Sequence, residues 1–240
     1  MSETLFNLIR TNDRVASTAA LHVEVIADLV CPFCFIGKRR FDLALKSVQG
    51  PREVSWYPYQ VNPDMPDGGQ PLDVFLTKRF GSPEIVDPVL QHLTAEGRDV
   101  GINFRFEQLR HVPNTLPLHQ LMQLFEMLGK NSSAFADDLF SAFFEQGRNI
   151  GDRDVLIDIA ATHGISAREV VKATESDQIR QLVLTREAQV RGSGLVGVPG
   201  FLVNRRLLIV GAQSADTMVN AFDRAMFGEG MDSLLSPALH

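Results

Sequence analysis

No stretch of this chain approaches the roughly 18 consecutive apolar residues that a membrane-spanning helix needs. The N-terminal region has only short apolar pairs, and charged residues such as Glu3, Arg10 and Asp13 interrupt them. This pattern is too broken for the apolar core of a secretory signal. The sequence therefore predicts a cytoplasmic protein that does not bind membranes, with residues 1–19 as a weakly patterned extension.

Positive charge is also in short supply. The 240 residues include 23 Lys and Arg against 29 Asp and Glu, which gives a net charge of −6 at pH 7. Phosphate backbones and anionic headgroups repel an acidic protein, so no nucleic-acid partner is expected. The basic run Lys38-Arg39-Arg40 falls on a single helical turn, and this predicts a solvated helix face rather than a binding patch.

Cysteine is scarce, and the only two, Cys31 and Cys34, lie close together. A zinc site needs further ligands, but the chain has no third cysteine and no pair of histidines at ligand spacing, so no metal is expected. A structural disulfide is also disfavoured, because the loop it would close is tiny and cytoplasmic thiols stay reduced. The pattern favours a dithiol redox site over an inert buried pair.

The position of the cysteines predicts their roles. An apolar, strand-like run at residues 21–29 precedes them and a helical pattern follows, with Pro32 suited to the first helical position. The positive end of a helix dipole favours a thiolate, so Cys31 is the candidate nucleophile and Cys34, one turn further, the candidate resolving thiol. Asp28 either relays the thiol proton or caps the turn, and the sequence leaves both roles open.

The hydrophobic periodicity predicts an α/β protein. Strand-like segments lie at both ends of the chain, and a long helical block lies between them. Because the two ends must close one sheet, we expect a discontinuous α/β domain (residues 20–68 and 190–228) interrupted by an all-helical insertion (residues 69–189). The expected strands span residues 21–29, 54–61, 201–203 and 207–210.

Local signals predict where several elements end. Pro58 cannot donate a ladder hydrogen bond, which places its strand at a sheet edge or at a bulge. The helix after the cysteines is expected to end at Gly50, and the tail after Gly228 is expected to fray. Helix N-caps are predicted at Ser82, at Asp152 and at Ser166, the last in a capping box with Glu169.

Two further segments hold candidate functional residues. Gly197-Val198-Pro199-Gly200 stands directly before a predicted strand, and a cis bond there would turn the chain toward the cysteines and expose the Val198 backbone. The trans isomer is the commoner one, so the residues alone do not favour cis. In Pro113-Asn114-Thr115, the middle or last residue can cap a helix that carries His119 on its surface.

Taken together, several segments resemble the DsbA-like thioredoxin-fold proteins of the FrnE type. The segment Asp28-x-x-Cys31-Pro-Phe-Cys34-Phe-Ile-Gly-Lys-Arg-Arg is similar to that family's active-site segment. The other similar blocks are Trp56-Tyr57-Pro58-Tyr59-Gln60-Val61-Asn62-Pro63-x-Met65-Pro66, Gly101-Ile102-x-Phe104, Pro113-Asn114-Thr115-x-x-x-His119, Asp152-Arg153-Asp154-Val155-Leu156, Gly197-Val198-Pro199 and Gly211-Ala212-Gln213. Each block is weak alone, but together they follow the family order along most of the chain.

This resemblance implies a thioredoxin fold with a helical insertion, a catalytic cis Pro199 that faces the thiols, and thiol–disulfide oxidoreductase activity. The implied partners are protein or small-molecule disulfides and thiols, contacted by Val198 and Phe33. No tightly bound cofactor is expected, and the chain is expected to be a monomer or a homodimer. Two positions depart from the family pattern: Gly200, where threonine is usual and where glycine should loosen substrate contact, and Phe33, where tryptophan is usual.

The resemblance also leaves two alternatives. The same superfamily contains 2-hydroxychromene-2-carboxylate isomerases and kappa-class glutathione transferases, which typically carry serine at the position of Cys31. In an enzyme of that type, Cys31 would activate glutathione as a co-substrate, and Asn114 and His119 would contact the other substrate. The presence of Cys34 favours disulfide exchange instead. The remaining alternative is a non-catalytic redox sensor that changes partners when the two cysteines oxidise.

Overall fold

The computed structural model describes residues 21–227, so the predictions for residues 1–19 and for the tail after Gly228 lie outside the described residues. Its strands are β1 (Leu21–Ala27), β2 (Arg52–Pro58), β3 (Gln70–Pro71), β4 (His111–Val112), β5 (Gly200–Val203) and β6 (Leu207–Val210). The central sheet has the order β2-β1-β5-β6. Strand β1 pairs in parallel with β2 and antiparallel with β5, and β5 pairs antiparallel with β6. The two ends of the chain thus close one sheet, as predicted.

Most residues between β2 and β5 are helical. The helices are α1 (Pro32–Leu45), α2 (Leu72–Phe80), α3 (Pro83–Asp99), α4 (Leu116–Met127), α5 (Ser132–Phe144), α6 (Arg153–Thr162), α7 (Ala167–Thr174), α8 (Asp177–Gly192) and α9 (Ala215–Phe227). A short 3-10 turn and the two-residue pairing of β3 with β4 also lie in the segment, and the sequence does not predict them. Within residues 21–227, no helix combines the length and apolarity needed to cross a membrane.

The two faces of the sheet are covered by different helices. On one face, Phe41 of α1 stacks on Phe201 of β5 with ring centroids 5.2 Å apart, and it meets Phe222 of α9 edge to face at 6.0 Å. Side chains alternate along a strand, so Ile26 lies on the opposite face, where it joins a smaller buried cluster with Val190 of α8. Helix α1, which follows the first strand, is therefore held directly against the sheet.

The helical segment is joined to α1 through an aromatic cluster. Phe35 stacks on Phe140 at 5.1 Å and on Phe144 at 6.0 Å, and it meets Phe104 edge to face at 6.0 Å. Buried side chains of the sheet, α1 and the helical segment form one contiguous cluster. The α/β class with a helical insertion is confirmed, while the exact domain boundaries, at residues 68/69 and 189/190, stay a prediction.

The predicted helix caps are confirmed where the signal is local. Asp152 caps α6 by accepting a hydrogen bond from the Asp154 amide, and Ser166 forms the capping box with Glu169 at the start of α7. Ser82 is the N-cap residue of α3, although its side chain makes no capping hydrogen bond. Strand β2 is an edge strand, as Pro58 predicts.

Several element ends differ from prediction. Strand β1 ends at Ala27 rather than at residue 29. Helix α1 ends at Leu45 rather than at Gly50. Strand β2 ends at Pro58 rather than at residue 61, because the next amides bond to carboxylates: Gln60 N–H donates to Glu187 at 2.7 Å and Val61 N–H donates to Asp28 at 2.7 Å. The sequence shows the strand-forming residues, but it does not show that distant acidic side chains take their hydrogen bonds.

The prediction of a solvated basic face on α1 is wrong for Lys38. Its side chain is buried, and its ammonium lies 2.6 Å from both Asp42 and Asp137. Arg39 also contacts Asp137, at 3.4 Å. Because Asp137 belongs to α5, these ion pairs attach the helix that follows the cysteines to the helical segment.

Candidate active site

The two cysteines occupy the start of α1. Cys31 is the N-cap residue, Pro32 is the first helical residue, and the Cys34 amide donates to the Cys31 carbonyl at 3.0 Å. Both are free thiols. Cys31 retains 8% of its surface whereas Cys34 retains 1%, so the first sulfur is the more accessible one. The Cys31 side chain accepts no capping hydrogen bond, and it stands at the N-terminus of α1.

Cys34 is held as a neutral thiol. Burial is the main cause that raises its pKa well above the usual value, followed by the hydrogen bond to the Cys31 sulfur and the charge on that sulfur. The Asp28 carboxylate adds a smaller raising effect, against a lowering effect from a backbone hydrogen bond of Asp28.

Asp28 is completely buried beside the cysteines. Its backbone carbonyl accepts a hydrogen bond from Cys31 N–H at 3.2 Å, and its Oδ2 accepts one from Val61 N–H at 2.7 Å. Its Oδ1 has no hydrogen-bond partner. The carboxylate therefore does not cap α1, and it instead ties the loop after β2 to the cysteine turn.

The residues alone suggest that His119 lies on the surface, but in the structure it is buried. It lies on α4 with 4% of its surface exposed, and its Nε2 is 3.4 Å from Asp28 Oδ1. The physical reason is that α4 packs against β2, α7 and α8, which leaves little of its circumference in solvent. Substrate contact by His119 stays a prediction, but its described charged neighbour is Asp28.

The side chain of Asn114 makes two hydrogen bonds within the protein. Its side-chain amide donates to the Met65 carbonyl at 2.7 Å, and its Oδ1 accepts from Leu116 N–H at 2.9 Å. These two bonds connect the loop after β2 to the start of α4, where Thr115 is the N-cap residue. Contact of Asn114 with substrate stays a prediction, and the arrangement shown is structural.

Pro199 lies against α1 one turn after the cysteines. The Val198–Pro199 peptide bond is cis. A Cβ atom added to Gly37 would stand 2.7 Å from Pro199 Cγ, so only glycine allows the ring to come this close to the helix. Val198 is half-buried, whereas Phe33 is 41% exposed and Val196 is 90% exposed. The proline loop thus lies against the helix that begins at the cysteine turn.

Gly37 is a positioning residue that the sequence analysis missed. Glycine inside a helix costs about 1 kcal/mol relative to alanine, so its presence there signals a close approach of another group. The signal was available in the run Phe35-Ile36-Gly37, but the sequence does not show which segment approaches.

The contacts at Gly200 are those of the core. A Cβ atom at this position would stand 3.2 Å from Leu195 Cδ2 and 3.5 Å from Ile26 Cδ1. A side chain there would therefore point into the small buried cluster behind the sheet. The expected loosening of substrate contact by Gly200 stays a prediction, and the contacts shown are those of core packing.

A second set of polar contacts, between Gln60, Glu187 and Arg191, holds the loop after β2. Besides the Gln60–Glu187 hydrogen bond, Arg191 donates to the Gln60 carbonyl and forms an ion pair with Glu187 at 2.7 Å. The Arg191 guanidinium also lies 4.2 Å from the centre of the Tyr59 ring. Helix α8 therefore holds the loop that supplies Val61 N–H to Asp28.

In the described part of the chain, no cluster of three or more His, Cys, Asp or Glu residues could hold a metal ion.

The chain belongs to the family of DsbA-like thioredoxin domains, whose model matches residues 22–223. This fold supports a thiol–disulfide oxidoreductase or a related isomerase. The resemblance and the thioredoxin fold are thereby confirmed.

Three known proteins show the range of similarity. The uncharacterized protein YwbO of Bacillus subtilis is 26% identical over 204 residues, which cover 84% of this chain and 95% of YwbO. A probable DsbA oxidoreductase from Streptomyces coelicolor is 27% identical with a TM-score of 0.78, over 90% of this chain and 94% of that one. A 2-hydroxychromene-2-carboxylate isomerase shares the fold alone, with 12% identity and a TM-score of 0.66 over 85% of this chain and 95% of the isomerase.

Proposed function

We propose that this protein is a thiol–disulfide oxidoreductase that works through a mixed disulfide on Cys31. When it acts as a reductant, the Cys31 thiolate attacks one sulfur of a substrate disulfide, and the other sulfur leaves as a thiolate that takes a proton. Cys34 then attacks Cys31, and the second substrate thiol leaves. The substrate gains two electrons, and the enzyme dithiol becomes the Cys31–Cys34 disulfide. In the reverse direction the same steps oxidise a dithiol.

The unequal placement of the two sulfurs carries this proposal. Cys31 stands at the positive end of the α1 dipole and keeps 8% of its surface exposed, whereas Cys34 is 1% exposed and neutral. A nucleophile needs access and charge, and a resolving thiol needs protection from competing disulfides. The Cys34 amide donates to the Cys31 carbonyl at 3.0 Å, and this turn keeps the two cysteines near each other for the resolving step.

The surroundings support protein or small-molecule disulfides as substrates. Pro199 lies beside the cysteine turn, the Val198 backbone precedes it, and the exposed side chains of Phe33 and Val196 can cover the apolar flank of a peptide. No tightly bound cofactor is needed, because both electrons come from the two sulfurs. Glutathione is a candidate co-substrate that would reduce the disulfide again. The cytoplasmic location and the monomer or homodimer state stay predictions.

Two single variants test the mechanism, and each controls for the other because each keeps one thiol. We expect Cys31→Ser to lose insulin reduction and to form no adduct, because no reachable nucleophile is left. We expect Cys34→Ser to lose turnover but to accumulate a mixed disulfide on Cys31, which intact-mass spectrometry detects. Full activity of Cys31→Ser would refute the mechanism, and so would the absence of any adduct in Cys34→Ser.

The two alternative functions predict different results for the same protein samples. Tight noncovalent binding of glutathione to the reduced protein, together with turnover of an aromatic substrate and no disulfide reduction, would identify a glutathione-dependent isomerase or transferase. A complex that forms only after oxidation, with negligible turnover, would identify a redox sensor. Either result would replace the oxidoreductase proposal.

A further inference from the structure

The turn that follows β6 (residues 211–213, the β6 turn) lies beside Pro199. Gly211 N–H donates to the Pro199 carbonyl at 2.8 Å, which continues the antiparallel pairing of β5 with β6 by one residue. Gly211 has a φ of 81°, in the left-handed region that favours glycine, and Gln213 N–H donates to its carbonyl at 2.9 Å. The β6 turn therefore holds the backbone at Pro199.

Arg40 ties the β6 turn to α1. From the third turn of this helix, its guanidinium donates to the Ala212 carbonyl at 2.5 Å, and its other terminal nitrogen lies 3.1 Å from Glu96 of α3. The turn lies close to the helix at Gly37, because an added Cβ there would stand 3.5 Å from Ala212 Cα and 2.7 Å from Pro199 Cγ. Arg40 therefore joins α1, α3 and the β6 turn beside Pro199.

The partners of Arg40 differ from those of the other two residues in the basic run of α1. Lys38 and Arg39 pair with carboxylates, whereas Arg40 also bonds to the backbone carbonyl of a loop. A hydrogen bond from a charged donor is stronger than a neutral one, and a planar guanidinium holds two partners in a fixed geometry. The side chains of Arg40 and Glu96 are 21% and 28% exposed, so both are largely withdrawn from solvent. The contact is therefore suited to fixing the position of the β6 turn.

We propose that Arg40 is a positioning residue, which holds the β6 turn and thereby fixes Pro199 and the Val198 backbone where a peptide disulfide binds. Glu96 holds the guanidinium in place, so the helical segment takes part in substrate binding through α3. This inference rests on the proposed oxidoreductase function, and it names a residue that governs the affinity for one class of substrate.

The position of Arg40 on α1 separates substrate binding from thiol chemistry. Arg40 stands nine residues after Cys31, which corresponds to ~13 Å along the helix axis. Its charge is paired with the Glu96 carboxylate, so the two charges nearly cancel at that distance. A small disulfide need only reach the Cys31 sulfur, whereas a peptide disulfide must also align its backbone with Val198. Loss of Arg40 should therefore weaken peptide binding and leave the reactivity of Cys31 unchanged.

Steady-state kinetics with a peptide disulfide test this assignment. The substrate is a fluorescence-quenched peptide with one internal disulfide, and excess dithiothreitol reduces the enzyme after each turnover. In separate samples, the reduced protein reacts with a small aromatic disulfide, whose coloured thiolate reports the attack by Cys31. A Cys31 that does not react there overturns the proposed function and this inference with it. A normal reaction there, with the same KM for the peptide in all variants, overturns this inference alone.

We expect Arg40→Met to raise the KM for the peptide about 10-fold, because the loss of a charge-assisted hydrogen bond corresponds to a tenfold or larger change in affinity. The kcat and the rate with the small disulfide should change less than about 2-fold, as when binding alone is lost. Arg40→Lys keeps a cationic donor and should restore the KM to within about 3-fold. Arg52→Met is the matched control, because Arg52 also donates to backbone carbonyls, those of Leu45 and Val48, but at the other end of α1. Its KM should equal that of the unmodified protein.

Three results would overturn the inference. One is an unchanged KM for the peptide in folded Arg40→Met. Another is an equal loss of rate with the small disulfide in that variant, because the effect would then lie in the thiol. The third uses Glu96→Ala and remains decisive if Arg40→Met does not fold, since Glu96 is partly exposed on α3 and alanine favours a helix. The loss of this ion pair should raise the KM about 3-fold, and an unchanged KM in Glu96→Ala would contradict the proposal.

Discussion

Replacing Gly37 by alanine should separate activity from stability. The added Cβ would stand 2.7 Å from Pro199 Cγ, whereas carbon atoms in contact prefer about 3.5–4.0 Å. The proline loop or α1 must therefore move by about 1 Å. Overpacking of this kind costs about 1–3 kcal/mol, but alanine in a helix gains about 1 kcal/mol over glycine. The net loss of unfolding free energy should be about 0–2 kcal/mol.

The effect on activity should be larger than the effect on stability. A displacement of about 1 Å can lower a rate about 100-fold when the moved group positions the reactants. Insulin reduction should therefore fall about 100-fold, whereas the reaction of Cys31 with a small aromatic disulfide should fall much less, because that reagent needs no peptide-binding backbone. Urea unfolding measures the stability, and initial rates with the two disulfides measure the two activities.

Gly192→Ala is the matched control for this experiment. Gly192 is the last residue of α8, and a Cβ there would meet no atom within 4 Å. It should leave both activities unchanged and alter stability by less than about 1 kcal/mol. Unaltered insulin reduction by Gly37→Ala would refute the argument that the contact between α1 and the Pro199 ring positions the substrate.

Two further predictions concern the half-buried phenol of Tyr57 and the buried ammonium of Lys38. The pKa of Tyr57 is raised to about 12, so the native state favours the neutral phenol; this stabilisation is complete below pH 10 and is lost as the pH rises through 12. Urea unfolding should show that the unfolding free energy of the unmodified protein is lower at pH 11 than at pH 8, with about 1 kcal/mol of this loss due to Tyr57. Tyr57→Phe should lack this part of the loss. An equal loss in both proteins would contradict the prediction. Lys38→Met should lower the unfolding free energy by about 1–3 kcal/mol, because Asp42 and Asp137 then lack their shared partner. A melting temperature unchanged by Lys38→Met would show that the buried ammonium does not join α1 to α5.

The sequence predicts the features that depend on neighbours along the chain. The dithiol at a strand-to-helix turn, the capping box of Ser166 with Glu169 and the edge position of Pro58 each follow from a few adjacent residues. The resemblance to the DsbA-like family extends this to the fold, because its segments cover both ends of the chain and the helical block.

What the sequence does not predict depends on contacts between distant segments. His119 looks like a surface residue until α4 is packed against β2, and Lys38 looks solvated until Asp137 is placed beside it. The end of β2 moves because Asp28 and Glu187 take the amides that would otherwise continue the strand. Such pairings arise from tertiary geometry, which periodicity and capping rules do not contain.

The stacking of Phe35 on Phe140 and Phe144 has a consequence for engineering. Phe35 immediately follows Cys34 in the sequence. Rings from another part of the chain therefore help to fix the orientation of the thiol pair. A chimaera that grafts the helical block of a relative onto this sheet would therefore alter the reactivity of the sulfurs without touching them. Changes to the reactivity of this dithiol can thus begin at Phe140 and Phe144, which belong to α5.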